Sequence, residues 1–247
     1  MSSPLADDVR PLRLGVILPS VNTVVEPWFS RTLPTDINLH AARMLIPPTL
    51  SPESIIEMDR SEGTLAVRQM ASCRPAVIGY CCTASSVVQG QAYDAHLRQE
   101  IERETGAKAT TATHAILSAL SALKARRVVI VSPYTDDIDA MEHHFFADAG
   151  LDVVGSANLS ITDTFHLAEP GKAQIVTLAR HGWRPEADAL IITCLNLHSH
   201  FAVGQLEREL GKPVISSTTS MLWHMLRLAG RADQVEGYGR LLTLHAA

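Results

Sequence analysis

Short apolar runs alternate with longer amphipathic stretches from residue 14 to residue 229. Runs rich in Val, Ile and Leu that end at turn residues are typical of buried parallel strands. The pattern predicts strands over residues 14–18, 37–45, 76–81, 127–131, 151–157, 189–193 and 211–215. Between them it predicts helices over residues 26–33, 51–72, 90–105, 113–124, 136–149, 169–181 and 216–229, and one that follows Cys194 and ends at Leu210. Strands and helices in alternation predict an α/β fold, with a parallel sheet covered by helices on both faces.

The pattern of the first half returns in the second half. Pro19 and Pro133 each follow the first strand of a half, at an offset of 114 residues (133 − 19). Cys82 and Cys194 each follow the third strand, at an offset of 112 residues (194 − 82). These matched spacings favour an internal duplication. Two such halves, packed about a pseudo-twofold axis, would bring the carboxyl ends of both sheets to one cleft, where open α/β sheets bind ligands. The loops expected in the cleft are 19–23, 82–86, 132–136, 194–199 and 216–220.

Composition and charge narrow the functional classes. The 247 residues carry a net charge of −5, and no basic block or basic–aromatic face occurs, which argues against nucleic-acid binding. No apolar run approaches the ~18 residues that a membrane span needs. The N-terminus lacks a basic segment followed by an apolar one, so we expect no signal peptide. The sequence therefore predicts a cytoplasmic protein without a membrane partner.

The cysteine and histidine spacings do not match a disulfide framework, a metal site or a nucleotide site. The four cysteines are Cys73, Cys81, Cys82 and Cys194, and no C-x-x-C pair occurs. We expect Cys73 and Cys81 to be small buried hydrophobic residues. The pairs His143–His144 and His198–His200 lack the spacing of zinc ligands, so no metal is expected. The sequence contains no Walker or G-x-G-x-x-G motif, which leaves nucleotide binding without support.

Cys82 and Cys194 stand where apolar strands run into polar turns that precede helices. The N-terminal amides and dipole of a helix favour a bound carboxylate, and the same setting lowers the pKa of a thiol. The cleft loops also carry amide and hydroxyl side chains that suit a small anion, although ordinary helix capping is the alternative role for each hydroxyl. The two thiols are therefore predicted to face each other across one anion-binding active site.

Several motifs resemble the aspartate/glutamate racemase superfamily, and most of all its branch of maleate cis-trans isomerases and arylmalonate decarboxylases. The matching segments are residues 14–23 with Glu26, residues 79–83, residues 131–134, Cys194 and residues 211–216. The Pro-Ser-x-Asn-Thr sequence at 19–23, combined with two strand-end cysteines, is the most specific of these features. The resemblance runs over nearly the whole chain, from about Arg13 to Gly230.

The resemblance implies two pseudo-symmetric Rossmann-like lobes, each a mostly parallel sheet flanked by helices, with the active site in the cleft between them. We expect residues 1–116 and 217–247 to form the N-terminal lobe and residues 117–216 to form the C-terminal lobe. The resemblance also implies that no cofactor is needed and that the chain forms a homo-oligomer, either a dimer or a tetramer.

The resemblance also implies roles for individual residues. Cys82 resembles the nucleophilic cysteine of the isomerases, and Cys194 resembles their second, proton-donating cysteine. Asn22 and Tyr134 resemble the groups that hold the substrate carboxylates. Thr164 stands where the isomerases carry a carboxylate-binding asparagine, which is a departure from their pattern. The expected substrate-binding residues are Ser20, Asn22, Thr23, Thr83, Tyr134 and Thr164.

The expected activity is cis–trans isomerisation of a small dicarboxylate of the maleate type. The Cys82 thiolate would add to the carbon–carbon double bond, and Cys194 would supply a proton to the neighbouring carbon. Two thiols equally suit racemisation of an aspartate- or glutamate-type amino acid. Arylmalonate-type decarboxylation is a further alternative, although typical decarboxylases keep only the second cysteine. A cysteine hydrolase using His198 or His224, and a non-catalytic dicarboxylate-binding protein, are the remaining alternatives.

Overall fold

The computed structural model describes residues 10–244 and contains two four-stranded parallel sheets flanked by helices. The first half contains β1 (Leu12–Pro19), α1 (Val25–Thr32), β2 (Ile37–Met44), α2 (Pro52–Ser72), β3 (Val77–Tyr80), α3 (Thr83–Thr105), β4 (Lys108–Thr111) and α4 (Ala112–Leu123). The second half contains β5 (Arg127–Ser132), α5 (Asp136–Asp148), β6 (Asp152–Asn158), α6 (Lys172–Gly182), β7 (Ala189–Ile192), α7 (His200–Leu210), β8 (Val214–Ser216) and α8 (Ser217–Leu228). Short 3-10 helices lie at His166–Ala168 and Arg240–Thr243. The predicted α/β fold is confirmed.

The two sheets have the same strand order. The first is ordered β2-β1-β3-β4 and the second β6-β5-β7-β8, and every pairing is parallel. The central strands β1, β3, β5 and β7 are almost wholly buried, as expected for parallel strands that helices cover on both faces. This equivalence confirms the pseudo-symmetric pair of lobes. It also places Cys82 and Cys194 at corresponding strand ends.

Helix α8 follows the second sheet but packs against the first. It lies on α4, β3 and β4. A Cβ atom added to Gly79 of β3 would lie 2.7 Å from the Met225 sulfur of α8, so glycine at this position permits the close approach. The proposed lobe boundaries, with residues 217–247 joined to residues 1–116, stay a prediction; residues 1–9 and 245–247 lie outside the described chain.

Three sequence-based expectations about the elements are wrong. Helix α3 begins at Thr83 rather than at Gly90, so residues 83–86 form its first turn and not a loop. Gly90 has a φ of +87° inside this helix and kinks it, which is why the helical pattern is recognisable only after that glycine. Strand β4 was not expected, because its short polar sequence Lys-Ala-Thr-Thr has no apolar run. Helix α6 begins at Lys172 rather than at residue 169.

Serine side chains define where two helices begin. Ser51 accepts a hydrogen bond from the Ser54 amide, and the Ser54 hydroxyl accepts one from the Ser51 amide, forming a reciprocal capping box at α2. Ser216 and Thr219 form the same arrangement at α8. The hydroxyls of these two caps therefore satisfy helix amides. Within residues 10–244, no helix is long and apolar enough to cross a membrane.

Candidate active site

Cys82 and Cys194 line one small cavity between the two lobes. The cavity lies at the carboxyl ends of the central strands. Four of the five predicted cleft loops contribute residues to its wall, whereas the loop at 216–220 does not. The structure therefore brings the two predicted thiols together in one site.

Cys82 is the N-cap residue of α3, directly after β3. The Ser85 side chain and the amides of Ser85 and Ala84 are within hydrogen-bonding reach of its sulfur, and donation from them favours the thiolate. Burial outweighs them and, together with the negative charge of Asp59, raises the pKa of Cys82 to about 12. The helix amides do lower the pKa of this thiol, but the expectation of a net lowered pKa is wrong. At a pKa of about 12, Cys82 is a neutral thiol at neutral pH.

Cys194 occupies a conformation that side-chain-bearing residues rarely adopt. Its φ is +73°, in the left-handed region that favours glycine, and such residues cluster at functional sites. Burial raises the pKa of its thiol to about 12, while hydrogen bonds from the Asn196 amide and the Tyr134 hydroxyl oppose that rise. The lowered pKa expected for this thiol is therefore also wrong. A neutral thiol is nevertheless the form that a proton donor requires.

Asn22 is buried in the cavity wall, and the amides at the start of α1 hold its side chain. Its Oδ1 accepts hydrogen bonds from the Val24 and Val25 amides, each at 3.0 Å. These bonds fix the side-chain amide and leave its Nδ2 group without a protein partner among the hydrogen bonds of residues 10–244. Asn22 therefore has a free pair of donor hydrogens at the edge of the cavity.

Thr23 and Ser20 do not line the cavity. The Thr23 side chain is exposed, and its amide donates to Asn196 Oδ1 at 3.0 Å. Asn196 also donates to the carbonyl of Val21 at 3.3 Å, so this side chain ties the two lobes together. The Ser20 hydroxyl accepts from the Ile46 amide at 3.3 Å. Both predicted residues support the walls in this structure without reaching the cavity.

Tyr134 and Thr83 lie in the cavity wall, on opposite lobes. The Tyr134 hydroxyl hydrogen-bonds Cys194, and burial with the nearby thiols raises its pKa well above the ordinary value, which keeps it a proton donor. The Thr83 hydroxyl lies 3.1 Å from the Ser217 hydroxyl at the start of α8. The hydroxyl run at 216–220 is thus placed behind the site, where it supports Thr83.

Thr164 is fully buried and lines the cavity, but its hydroxyl is engaged. It donates to the carbonyl of Pro47 at 3.0 Å, and the Thr164 amide donates to the carbonyl of Pro48 at 2.8 Å. The hydroxyl hydrogen would have to leave Pro47 in order to bind a substrate carboxylate. As placed, Thr164 offers the cavity an oxygen lone pair and a methyl group.

One side of the cavity is apolar, and apart from Leu195 its residues lie outside the loops expected in the cleft. This apolar wall consists of Ile46, Leu50, Ile55, Leu167 and Leu195. These residues come from separate parts of the chain. Only the three-dimensional fold brings them beside the thiols.

The sequence matches the arylmalonate decarboxylase family over residues 14–242. The chain belongs to that family. Arylmalonate decarboxylase from Bordetella bronchiseptica is 33% identical over 177 residues, which cover 70% of this chain and 74% of that protein. Maleate isomerase from Nocardia farcinica is 29% identical over 245 residues, which cover 95% of this chain and 97% of that protein. The predicted membership in this branch of the aspartate/glutamate racemase superfamily is confirmed.

Solved structures of this family have the same fold. A cysteine-to-serine variant of the Nocardia farcinica maleate cis-trans isomerase, with a covalently bound succinylcysteine intermediate, superposes with a TM-score of 0.88. The two chains are 27% identical, and the match covers 94% of this chain and 98% of that one. Isomerases and a decarboxylase among the relatives support a cysteine-based enzyme of one of these two classes.

Two carboxylates beside the thiols, the half-buried Asp59 and the fully buried Glu142, were missed by the sequence analysis. Asp59 lies on α2 and raises the pKa of Cys82, and Glu142 lies on α5 and raises the pKa of Cys194. Neither belongs to a motif, and each is a charged residue in an otherwise ordinary amphipathic helix. Within the described residues, no three histidine, cysteine, aspartate or glutamate side chains are grouped as a metal site would require.

Proposed function

We propose that this member of the arylmalonate decarboxylase family is a cofactor-independent isomerase that converts a small cis-enedioate of the maleate type into its trans isomer. The observation that carries the proposal is the pair of thiols, Cys82 and Cys194, at the ends of β3 and β7 in the wall of one cavity. One thiol can attack one carbon of the double bond while the other donates a proton to the neighbouring carbon. Neither step needs a metal or an organic cofactor.

In the proposed mechanism, the Cys82 sulfur gives up its proton and adds to one alkene carbon as a thiolate. The π-electron pair moves toward the carboxylate on the other carbon and forms an enediolate, which Cys194 protonates at carbon. The former double bond is then single and rotates. Cys194 takes a proton back, the double bond re-forms, and Cys82 leaves with its bonding electron pair. The trans product has the same atoms as the substrate.

The carboxylates need donors at the cavity wall, and the site has several. Asn22 offers its unpaired Nδ2 group, Tyr134 is held in its protonated form, and the first amides of α3 point toward Cys82. Donors aimed at the enediolate stabilise the charge that develops during the attack. The relatives add support, because maleate isomerases match the chain over nearly its full length and one of them holds a succinylcysteine intermediate.

A decarboxylase is the second candidate, and the apolar wall favours it. Ile46, Leu50 and Leu167 would suit an aryl group better than a second carboxylate, and Thr164 has its hydroxyl hydrogen committed to Pro47. Cys194 would then protonate the carbanion left when carbon dioxide departs. In that reaction Cys82 has no nucleophilic role.

Proton NMR with purified protein in D2O separates these activities. Maleate, phenylmalonate and aspartate are offered separately, and Cys82→Ala and Cys194→Ala are measured beside the unaltered chain. The expected result is growth of the fumarate singlet, abolished by either substitution. Loss of a carboxyl group from phenylmalonate that survives Cys82→Ala would assign decarboxylation. Deuterium entering the α-position of aspartate, with maleate unchanged, would assign racemisation.

A further inference from the structure

The structure poses a problem for any reaction in which Cys82 is the nucleophile. A thiol of pKa about 12 that exchanged its proton only with bulk water would be ionised in about one molecule in 10⁵ at pH 7. Cys82 is also buried, so a substrate in the cavity separates its sulfur from solvent on that side. The proton on Cys82 therefore needs an acceptor inside the protein.

Asp59 is a carboxylate placed directly behind Cys82. It lies one helical turn after Ile55, which lines the cavity, but Asp59 itself is outside the cavity wall. Its Oδ1 accepts from the hydroxyls of Tyr80 at 2.5 Å and Ser85 at 2.9 Å. Its Oδ2 accepts from the Gln89 amide at 2.7 Å and the Tyr93 hydroxyl at 2.9 Å. All four donors are neutral, so no cation fixes Asp59 in its ionised form.

Ser85 connects this carboxylate to the thiol. Its hydroxyl donates to Asp59 and is also the side chain that hydrogen-bonds the Cys82 sulfur. A hydroxyl has a single hydrogen and two acceptor lone pairs. While that hydrogen points to Asp59, the Ser85 oxygen can accept the Cys82 proton. Ser85 is fully buried, so solvent does not compete for it.

A separate groove connects Asp59 to the surface. It lies between α2 and α3 and is lined by Asp59, Tyr80 and Tyr93 at its inner end. The charged and titratable side chains further along it are Arg68, His96, Glu100, Arg103 and Glu104. Arg103 is paired with both Glu100 and Glu104. Asp59 can thus exchange a proton with water while a substrate fills the cavity on the other side of Cys82.

We propose that Asp59, acting through the Ser85 hydroxyl, accepts the proton of Cys82 when its sulfur attacks and returns that proton when the product leaves. The S–H bond of Cys82 breaks as a new O–H bond forms on Ser85, and the original Ser85 hydrogen moves to Asp59 Oδ1. The sulfur lone pair forms the bond to carbon. Every transfer reverses at product release, so no oxidant, reductant or net proton is required.

Burial and neighbouring charge agree with this arrangement. Burial raises the pKa of Asp59 above its ordinary value, against the lowering effect of its four hydrogen bonds. The negative charge of Asp59 is also a cause of the raised pKa of Cys82, so a proton on Asp59 removes that repulsion. Asp59 and Cys82 therefore share one proton at pH values between the titrations of the two groups.

The first test needs no substrate. The rate of Cys82 alkylation by iodoacetamide is followed against pH by peptide mass spectrometry. In the unaltered chain, the single shared proton predicts a rate that is nearly independent of pH through the neutral range. In Asp59→Asn, which has no acceptor, the rate should rise about tenfold for each pH unit. A tenfold rise per unit in the unaltered chain as well would overturn the proposal.

The second test is turnover of maleate, so it rests on the proposed function. Asp59→Asn and Ser85→Ala should each lower kcat by about 10²-fold, with KM little changed, because a proton-transfer partner is lost. The matched controls are Asp94→Asn and Ser86→Ala, since Ser86 donates to the buried Asp94 at 2.7 Å one position further along α3. Both controls should keep the kcat and the alkylation profile of the unaltered chain.

The two measurements separate failure of the relay from failure of the proposed substrate. A flat alkylation profile that Asp59→Asn abolishes supports the relay even if maleate is not converted. Full turnover in Asp59→Asn, or equal loss in the two control variants, would overturn it. If Asp59→Asn does not fold, Ser85→Ala decides, because it removes the bridging hydroxyl and leaves the carboxylate and its other three donors in place; unchanged kcat in that variant rejects the relay.

Discussion

The pH dependence of stability should reveal that the buried Glu142 side chain stays protonated in the folded chain. Glu142 is fully buried on α5; its Oε2 accepts from the Thr193 hydroxyl at 2.9 Å, and its Oε1 has no partner within residues 10–244. Burial, with a smaller contribution from the charge of Asp139, raises its pKa well above 4.5. Folded Glu142 therefore keeps a proton that the unfolded chain releases near that pH.

The sign and size of the effect follow from proton linkage. The stability contributed by this proton is fully present below pH 4.5 and is lost as the pH rises toward the folded pKa. In that window the folded state binds one more proton than the unfolded state. The free energy of unfolding therefore falls by about 1.4 kcal/mol per pH unit from this group alone. Glu142→Gln is uncharged in both states and removes this slope.

Urea denaturation followed by circular dichroism at pH 5, 6, 7 and 8 measures the difference between Glu142→Gln and the unaltered chain. That difference should grow in favour of the variant by about 1.4 kcal/mol for each pH unit below the folded pKa. Glu186→Gln is the control, because Glu186 is exposed and its substitution should give a constant difference. A constant difference for Glu142→Gln as well would refute the claim that folded Glu142 is protonated.

Three further substitutions test the cavity wall. Asn22→Asp keeps the Oδ1 acceptor for the Val24 and Val25 amides but removes the Nδ2 donor, so KM for maleate should rise at least about tenfold with little change in Tm. Thr164→Asn supplies a donor that Pro47 does not occupy and should lower KM for maleate, which substrate titration by NMR measures. Cys194→Gly should be more stable than Cys194→Ala in urea by about 1 kcal/mol, because φ is +73° there.

The part of the site that could be predicted from the sequence consists of the residues that directly follow the ends of the strands. An apolar strand that closes on a cysteine is visible in the sequence, and the matched spacing of Cys82 and Cys194 gave the two-lobe arrangement. Parallel strands in equivalent sheets bring such ends to one cleft. The repeat of the strand order β2-β1-β3-β4 in the second sheet agrees with the expected pair of equivalent lobes, although β4 itself was not expected.

The part that escaped prediction depends on burial and on contacts between distant residues. The pKa of Cys82 could be assigned the wrong direction from sequence, because helix amides are local whereas the low-dielectric surroundings and Asp59 come from elsewhere in the fold. Thr164 illustrates the same limit, since its hydroxyl is committed to Pro47, 117 residues away. The left-handed φ of Cys194 could not be expected from the residue type, because that conformation favours glycine.

The two thiols have different hydrogen-bond partners and neighbouring carboxylates, and this difference fits the roles that the proposed reaction needs. Cys82 is linked through Ser85 to Asp59, a half-buried carboxylate that reaches solvent through its own groove. Cys194 is linked to Tyr134 and lies near Glu142, which is fully buried. A nucleophile must give up its proton and regain it, which requires an acceptor that can equilibrate with water. A proton donor must hold its proton until the carbanion forms beside it, which surroundings closed to water favour. In the proposed reaction, the two equivalent strand ends would thus meet opposite proton requirements, because the carboxylates behind them differ in exposure.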